Sequence, residues 1–165
     1  MTEIAMKPQV YIETTIPSAY HEVRTDLETA VRREWTRKWW DNHRAEYDLF
    51  TSEAVIDELE RGDYPHQQNS LDLISEITIL AHVEAIDEIT EAYIRHQLMP
   101  ANPLGDALHL AMASYHRCDF LVTWNCRHLA NANKFAQIRR VNTLLGLFVP
   151  TLVTPLELLG EDATP

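Results

Sequence analysis

The sequence contains few of the residues that build disulfide scaffolds, flexible loops or membrane spans. Only two cysteines occur in 165 residues, too few for a disulfide framework. Four glycines and eight prolines exclude a collagen-like or loop-dominated chain. Polar residues interrupt every apolar run before the length that a bilayer requires, and residues 1–7 lack the apolar segment of a secretory signal. We therefore expect a cytoplasmic protein with no membrane association.

The composition is that of one globular domain. Hydrophobic residues make up 45% and charged residues 24% of the chain, and its length is enough to bury a substantial core. The net charge of −11 repels nucleic acid unless basic residues are locally concentrated or the acids surround a metal ion. It also favours a basic protein partner. We expect a single domain over residues 1–159 and a short polar tail over 160–165.

Short β-rich runs alternate with longer helical stretches. The predicted strands are 10–12, 49–51, 77–80, 120–124 and a last one near 152–153. The predicted helices are 24–44, 53–61 with Ser52 as N-cap, 66–74, 83–98, one that starts at Asn102-Pro103 and continues to 116, a short one after 125, and 134–144. Strands separated by helices predict a three-layer α/β/α domain with a mainly parallel central sheet.

Two polar residues lie where predicted strands end. Glu13 follows the strand at 10–12, and Asn125 follows the strand at 120–124. Open α/β sheets bind ligands beyond the carboxyl ends of their strands, so both side chains are candidate site residues. A polar residue that begins a loop explains each of them equally well when it is taken alone.

Asp106 is a candidate buried carboxylate. It lies in the first turn of its predicted helix, on the same face as the apolar Leu110 and Ala113. The helix dipole favours an acid in a first turn, but it gives no reason for that acid to face the core. A buried carboxylate needs a hydrogen-bond partner, a proton or a cation.

The helix after Ser52 offers more acids. Its apolar face consists of Val55, Ile56 and Leu59. Asp57 lies opposite this face and is expected to be solvated. Glu58 and Glu60 lie on either side of Asp57, so either can reach into a cleft, and periodicity does not choose between them.

Four segments, in this order, resemble the motifs of PIN domains. Residues 10–15 (VYIETT) are similar to the opening strand of that family, which ends in an acid followed by small hydroxyl residues. Residues 55–59 (VIDEL) resemble its helix with an acid just before Leu, and residues 106–111 (DALHLA) resemble its third acidic motif. Residues 121–125 (LVTWN) resemble the strand that delivers the fourth site residue, and the tract 121–131 is similar to a VapC-like subgroup.

The resemblance implies that Glu13, Glu58, Asp106 and Asn125 converge around Mg²⁺ or Mn²⁺. Hard divalent cations prefer oxygen ligands, and a cation offsets the repulsion between crowded carboxylates. It can also activate a water and stabilise the charge on a phosphate. The resemblance further implies a ribonuclease, often the toxin of a toxin–antitoxin pair, with an RNA substrate, an antitoxin protein as partner and a homodimeric assembly.

Two positions depart from the family pattern. Glu13 stands where the first acid is usually Asp, and Asn125 brings no charge to a position that is often Asp. These changes keep a second hypothesis open, in which the chain is a catalytically weak PIN-like module that binds RNA or a protein partner. Thr14 and Thr15 are candidates to hold a water or a phosphate near the metal, although an ordinary turn explains them as well.

Other motifs give weaker indications. There is no Gly-rich phosphate loop and no Gly-x-Ser-x-Gly elbow. A predicted buried strand separates the pair at 116 and 118 from the pair at 126 and 128, and the spacing fits no zinc pattern. The potential soft ligands are His116, Cys118, Cys126 and His128.

The predicted helix over 24–44 interleaves basic and aromatic residues. Its basic residues are Arg24, Arg32, Arg33, Arg37, Lys38 and Arg44, and its tryptophans are Trp35, Trp39 and Trp40. A core-packed amphipathic helix with a solvated charged face is the ordinary interpretation. The functional one is an arm that contacts RNA or an antitoxin. Trp39, Trp40 and Tyr47 are predicted to contribute to a surface for self-association.

Overall fold

Five short parallel strands form the centre of the computed structural model, which describes residues 6–101 and 104–163. The strand order is β3-β2-β1-β4-β5. The strands are β1 Gln9–Ile12, β2 Asp48–Thr51, β3 Thr78–Ile79, β4 Phe120–Val122 and β5 Thr151–Val153. Helices flank this sheet, so the predicted three-layer α/β/α fold is confirmed.

Eight α-helices connect or follow the described strands. They are α1 Thr15–Tyr20, α2 Leu27–His43, α3 Glu53–Arg61, α4 Gln67–Ile74, α5 Glu84–Arg95, α6 Gly105–Tyr115, α7 Ala132–Leu144 and α8 Pro155–Leu158. Short 3-10 helices follow α2, at Arg44–Glu46, and α8, at Gly160–Ala163. Among these described helices, none combines the length and the apolar character that a membrane span needs.

The central strand β1 determines where a site can form. Val10, Tyr11 and Ile12 are fully buried, as expected of a strand that is covered on both faces. The chain runs from β1 through β2 to β3 on one side and then returns to place β4 on the other side of β1. The carboxyl ends of β1 and β4 therefore meet at the point where the strand order reverses, which is where open α/β sheets bind ligands.

Several predicted boundaries differ from the observed ones. The predicted helix start at Asn102-Pro103 lies outside the described residues, and α6 begins at Gly105. Strand β4 ends at Val122 instead of continuing to Trp124, because the Thr123 hydroxyl accepts a hydrogen bond from the Asn125 backbone N–H and starts a turn. The short helix predicted after position 125 is wrong, since residues 126–129 form turns.

Two short helices were not predicted from the sequence. Helix α1 contains Pro17, which a helix tolerates in its first turn because the N–H groups there have no intrahelical partner. Helix α8 begins with Pro155 after Thr154, whose side chain forms a capping box with Glu157. Both helices are too short to show apolar periodicity.

Helix α2 packs its tryptophans into the core. Trp39 and Trp40 are buried, and Tyr47 packs against Trp39 at a ring distance of 5.8 Å. The predicted contribution of Trp39 and Trp40 to a self-association surface is therefore wrong, because folding of the single chain already covers them. Self-association itself stays a prediction.

Candidate metal centre

The topology brings the ends of four elements to one edge of the sheet. Glu13 follows β1, and Asn125 follows β4, which is hydrogen-bonded to β1. Glu58 lies in the middle of α3, and Asp106 lies in the first turn of α6, which contacts α3. The four residues predicted from the sequence therefore approach the same edge from different elements.

Glu13 is held in place by hydroxyl and backbone donors. Its side chain is only 4% exposed. Its Oε2 accepts hydrogen bonds from the Thr15 backbone N–H at 3.0 Å, the Thr15 hydroxyl at 2.5 Å and the Thr123 hydroxyl at 2.7 Å. The longer glutamate side chain thus reaches the end of β4, and Thr15 has a positioning role.

Glu58, and not Glu60, lies next to Glu13. Glu60 is exposed, whereas Glu58 Oε2 accepts a hydrogen bond from the Thr14 hydroxyl and Glu58 Oε1 lies 2.9 Å from His109 Nε2. Glu13, Glu58 and His109 offer ligand atoms that all lie within 4.8 Å of one another. Periodicity does not distinguish Glu58 from Glu60, but packing of α3 against α6 places Glu58 at the site.

His109 connects this group to a buried chain of hydrogen bonds. The ring is 1% exposed, and its Nδ1 lies 2.7 Å from the Tyr11 hydroxyl, which lies 2.7 Å from the Ser52 hydroxyl. Ser52 occupies the N-cap position of α3, as predicted, but its side chain makes no capping hydrogen bond. It bonds to Tyr11 instead, so the start of α3 is fixed to the central strand.

Opposite pKa shifts indicate that Glu58 and His109 form an ion pair. Burial alone would raise the pKa of the Glu58 carboxyl, but the hydrogen bond and charge of His109 and the Thr14 hydroxyl together lower it. Burial would lower the pKa of His109, but the hydrogen bond to Glu58 and the negative charges of Glu13, Glu58 and Asp106 raise it. The His109 ring is thus hydrogen-bonded through both nitrogens, to Glu58 through Nε2 and to Tyr11 through Nδ1.

Asp106 and Asn125 form a second, adjoining pair. Asn125 Nδ2 donates to Asp106 Oδ1 at 2.9 Å, and Asn125 Oδ1 accepts from the His128 backbone N–H at 3.0 Å. Within the described part of the chain, the compact group around His109 does not include Asp106. The charge of Asp106 nevertheless acts on His109, so the pair lies within electrostatic range of that group's histidine.

The weak zinc pattern is not brought together. In residues 6–101 and 104–163, the metal-capable group consists of Glu13, Glu58 and His109 alone. His116 bonds to the Ala81 carbonyl, and burial, with a smaller effect of Asp119, raises the pKa of the Cys118 thiol to about 12. A thiol that stays protonated is a poor metal ligand.

Neither His109 nor Gly105 was expected at the site from the sequence. His109 lies three residues after Asp106, so the two share a helix face, and this spacing was the available signal. No sequence pattern indicates Gly105. A Cβ built on it would lie 2.6 Å from Glu58 Oε1, so the missing side chain makes room for the glutamate.

Gly105→Ala is expected to weaken metal binding without unfolding the protein. The added methyl group collides with the end of a flexible side chain, which can rotate away from His109 and Glu13. Alanine has the higher helix propensity, by about 1 kcal/mol in a helix interior and by less at the first residue of α6, which partly offsets the lost contact with His109. The melting temperature without metal should therefore change little, while calorimetric titration should show weaker Mn²⁺ binding. Unchanged Mn²⁺ affinity would contradict the close approach of Gly105 and Glu58.

The donor atoms suit a hard divalent cation. Carboxylate oxygens are preferred ligands of Mg²⁺ and Mn²⁺, whereas imidazole is more typical of zinc, copper, iron and nickel sites. Both ring nitrogens of His109 are already in hydrogen bonds. The carboxylates are therefore the candidate ligands, and His109 fits the role of orienting Glu58.

Comparison with known proteins identifies the family. The model of the PIN domain matches residues 10–134, which is most of the chain and includes all four predicted site residues. Among curated proteins, none matches the sequence significantly. The matched region begins with β1 and extends past β4, so it contains the whole sheet edge described above. The chain therefore belongs to the PIN domain family, whose members are generally metal-dependent nucleases.

Proposed function

We propose that this protein is an endoribonuclease that requires Mg²⁺ or Mn²⁺. The observation that carries the proposal is the close approach of the buried Glu13 and the partly buried Glu58, beside the Asp106–Asn125 pair, at the strand-order reversal of a PIN domain. Three carboxylates at one edge repel one another, and a divalent cation offsets that repulsion.

Each residue has a distinct part in the proposed reaction. Glu13, Glu58 and Asp106 would hold the cation, and the Asn125 amide fixes the carboxylate of Asp106. A bound divalent cation supplies an activated water and stabilises the negative charge that develops on the phosphate. The Thr14 hydroxyl orients Glu58 in the free protein and is a candidate contact for a water or a phosphate oxygen.

A toxin role with a protein partner is the finer part of the proposal. It is supported by the resemblance of residues 121–131 to a VapC-like subgroup. The net charge of −11 fits a basic antitoxin, because opposite net charges accelerate association. A homodimer and a cytoplasmic location belong to the same proposal.

A catalytically weak module that binds RNA or a protein remains the second candidate. One observation favours it: the acids already have internal partners. Oε2 of Glu13 accepts three hydrogen bonds, and Glu58 is hydrogen-bonded to His109 and to the Thr14 hydroxyl. Absence of a Mn²⁺-dependent rise in melting temperature would favour this module over the nuclease.

A matched pair of variants tests the nuclease. Glu58→Gln should reduce Mn²⁺-dependent cleavage of RNA by about a hundredfold or more, because it removes one carboxylate and the partner of His109. Glu60→Gln makes the same chemical change two residues away at an exposed position and should behave like the parent protein. The assay follows a fluorescently labelled RNA, with EDTA as the metal-free control. Equal activity of the two variants would remove Glu58 from the site.

A further inference from the structure

A pocket of about 240 Å³ adjoins the metal centre. Its lining includes Thr14, Thr15, Glu22, Arg24, Arg32 and Trp124. The hydroxyls of Thr14 and Thr15 bond to Glu58 and Glu13. One wall of the pocket is therefore shared with the metal centre, and a ligand in the pocket lies directly beside that centre.

The pocket concentrates positive charge in an acidic protein. Arg24 and Arg32 line it together with a single acid, Glu22, although the net charge of the chain is −11. Arg24 pairs with Glu22 at 3.2 Å, and Arg32 pairs with the exposed Glu28 at 2.9 Å. Glu28 is largely exposed, and exposed ion pairs contribute little to stability, so a phosphate can replace Glu28 as the partner of Arg32. Glu22 is mostly covered and also accepts from the Val23 and Arg24 backbone N–H groups, so at Arg24 a phosphate binds beside Glu22.

The guanidinium of Arg32 lies over the ring of Trp124. The indole N–H donates to the Thr36 hydroxyl at 2.7 Å, and the ring stacks on Trp35 at a centroid distance of 6.2 Å. The Arg32 guanidinium carbon lies 5.3 Å from the centre of the Trp124 ring. Trp124 is nearly buried, so the part of this stack that a ligand meets is the plane of Arg32. Unpaired nucleobases stack on such planes in RNA-binding proteins.

We propose that this pocket binds the nucleotide next to the scissile phosphate of a single-stranded RNA. Arg24 and Arg32 neutralise its phosphate, and the plane of Arg32 receives its base. The volume admits one nucleotide, whose base has to be unstacked, and a duplex does not offer such a base. The proposal rests on the ribonuclease function for the position of the scissile bond, but binding in the pocket requires no metal.

Fluorescence anisotropy of a labelled single-stranded oligoribonucleotide in EDTA tests the pocket without catalysis. Arg32→Gln should weaken binding about tenfold, since both a stacking plane and a phosphate contact are lost. The slope of log affinity against log salt should decrease in magnitude by about 0.7, the value for one phosphate contact in a single strand. Arg24→Gln should change the slope similarly with a smaller loss of affinity. Arg140→Gln removes the same charge from an exposed position on α7 and should bind like the parent.

The proposed binding in this pocket is contradicted if the parent protein fails to bind the oligonucleotide. It is also contradicted if the Arg32→Gln and Arg140→Gln variants bind with equal affinity, or if duplex RNA binds as tightly as the single strand. Circular dichroism melts establish that each variant is folded. A parallel Mn²⁺ cleavage assay separates this proposal from the ribonuclease. If the parent binds the oligonucleotide through Arg32 but does not cleave it, the ribonuclease proposal is wrong and the proposal of a nucleotide pocket is supported. If it cleaves and Arg32→Gln changes neither affinity nor KM, the pocket fails and the ribonuclease stands.

Discussion

Asp106→Asn is expected to abolish metal-dependent RNA cleavage and to leave the fold intact. The substitution removes a negative charge from the proposed metal centre but keeps an oxygen that can accept the hydrogen bond from Asn125. A loss of about 3 kcal/mol or more of transition-state stabilisation corresponds to a rate reduced more than about a hundredfold. The measurement is the single-turnover rate of RNA cleavage at saturating Mn²⁺.

The stability of the Asp106→Asn variant should equal or exceed that of the parent. An acid in the first turn of α6 gains about 0.3–1 kcal/mol from the helix dipole and interacts favourably with His109, and the repulsion by Glu13 and Glu58 opposes both gains. Asp87→Asn is the matched control, because Asp87 also lies in the first turn of a helix, α5, and is exposed. RNA cleavage that survives in the Asp106→Asn variant would show that Asp106 is not part of the metal centre.

Asn125→Asp is expected to lower the melting temperature without metal and to raise the stabilisation by Mn²⁺. It replaces an amide donor 2.9 Å from Asp106 Oδ1 by a second carboxylate. Two like charges at this spacing repel by about 1–6 kcal/mol at the effective dielectric constants between water and a protein surface. The new acid can instead become protonated, which at pH 7 limits the loss in free energy of unfolding to about 4 kcal/mol. In a chain of this size, each kcal/mol lowers the melting temperature by about 2–4 °C.

Manganese should reverse the sign of the effect of Asn125→Asp. Affinity at oxygen sites rises with the number of charged ligands, and binding to the folded state alone raises its stability. Without metal, the variant should therefore melt at a lower temperature than the parent. As the Mn²⁺ concentration increases, the two melting temperatures should converge or cross. Asn131→Asp is the matched control, since Asn131 caps α7 and accepts from the Asn133 backbone N–H. Parallel metal dependences for Asn125→Asp and the parent would take Asn125 out of the site.

Much of the fold follows from local sequence patterns. The apolar runs at β1 and β4 predict strands buried on both faces, and their alternation with helical segments predicts a parallel sheet. The strand ends were less predictable. The hydroxyl of Thr123 ends β4 early by bonding the Asn125 backbone, and the same hydroxyl bonds Glu13 on the neighbouring strand. A contact between distant segments leaves no periodic pattern in the sequence.

The candidate site was predicted in part. Parallel strands place their carboxyl ends at one edge, so Glu13 and Asn125 could be assigned to that edge from their positions alone. Glu58 could not be separated from Glu60 by residue type or periodicity, because both lie beside the exposed face of α3. His109 went unassigned, since a histidine on an apolar helix face usually indicates core packing, and only the contact with Glu58 distinguishes it.

The sequence by itself determined the secondary structure of the core, the fold class and the sheet edge at which Glu13 and Asn125 lie, because these depend on residue pattern and chain direction. Tertiary structure decided which side chains meet there. Packing of α6 against α3 pairs His109 with Glu58 and requires Gly105 to have no side chain, and packing of α2 against α1 and α8 accompanies the burial of Trp39 and Trp40. These outcomes depend on distances between elements far apart in the chain, which local propensities do not specify.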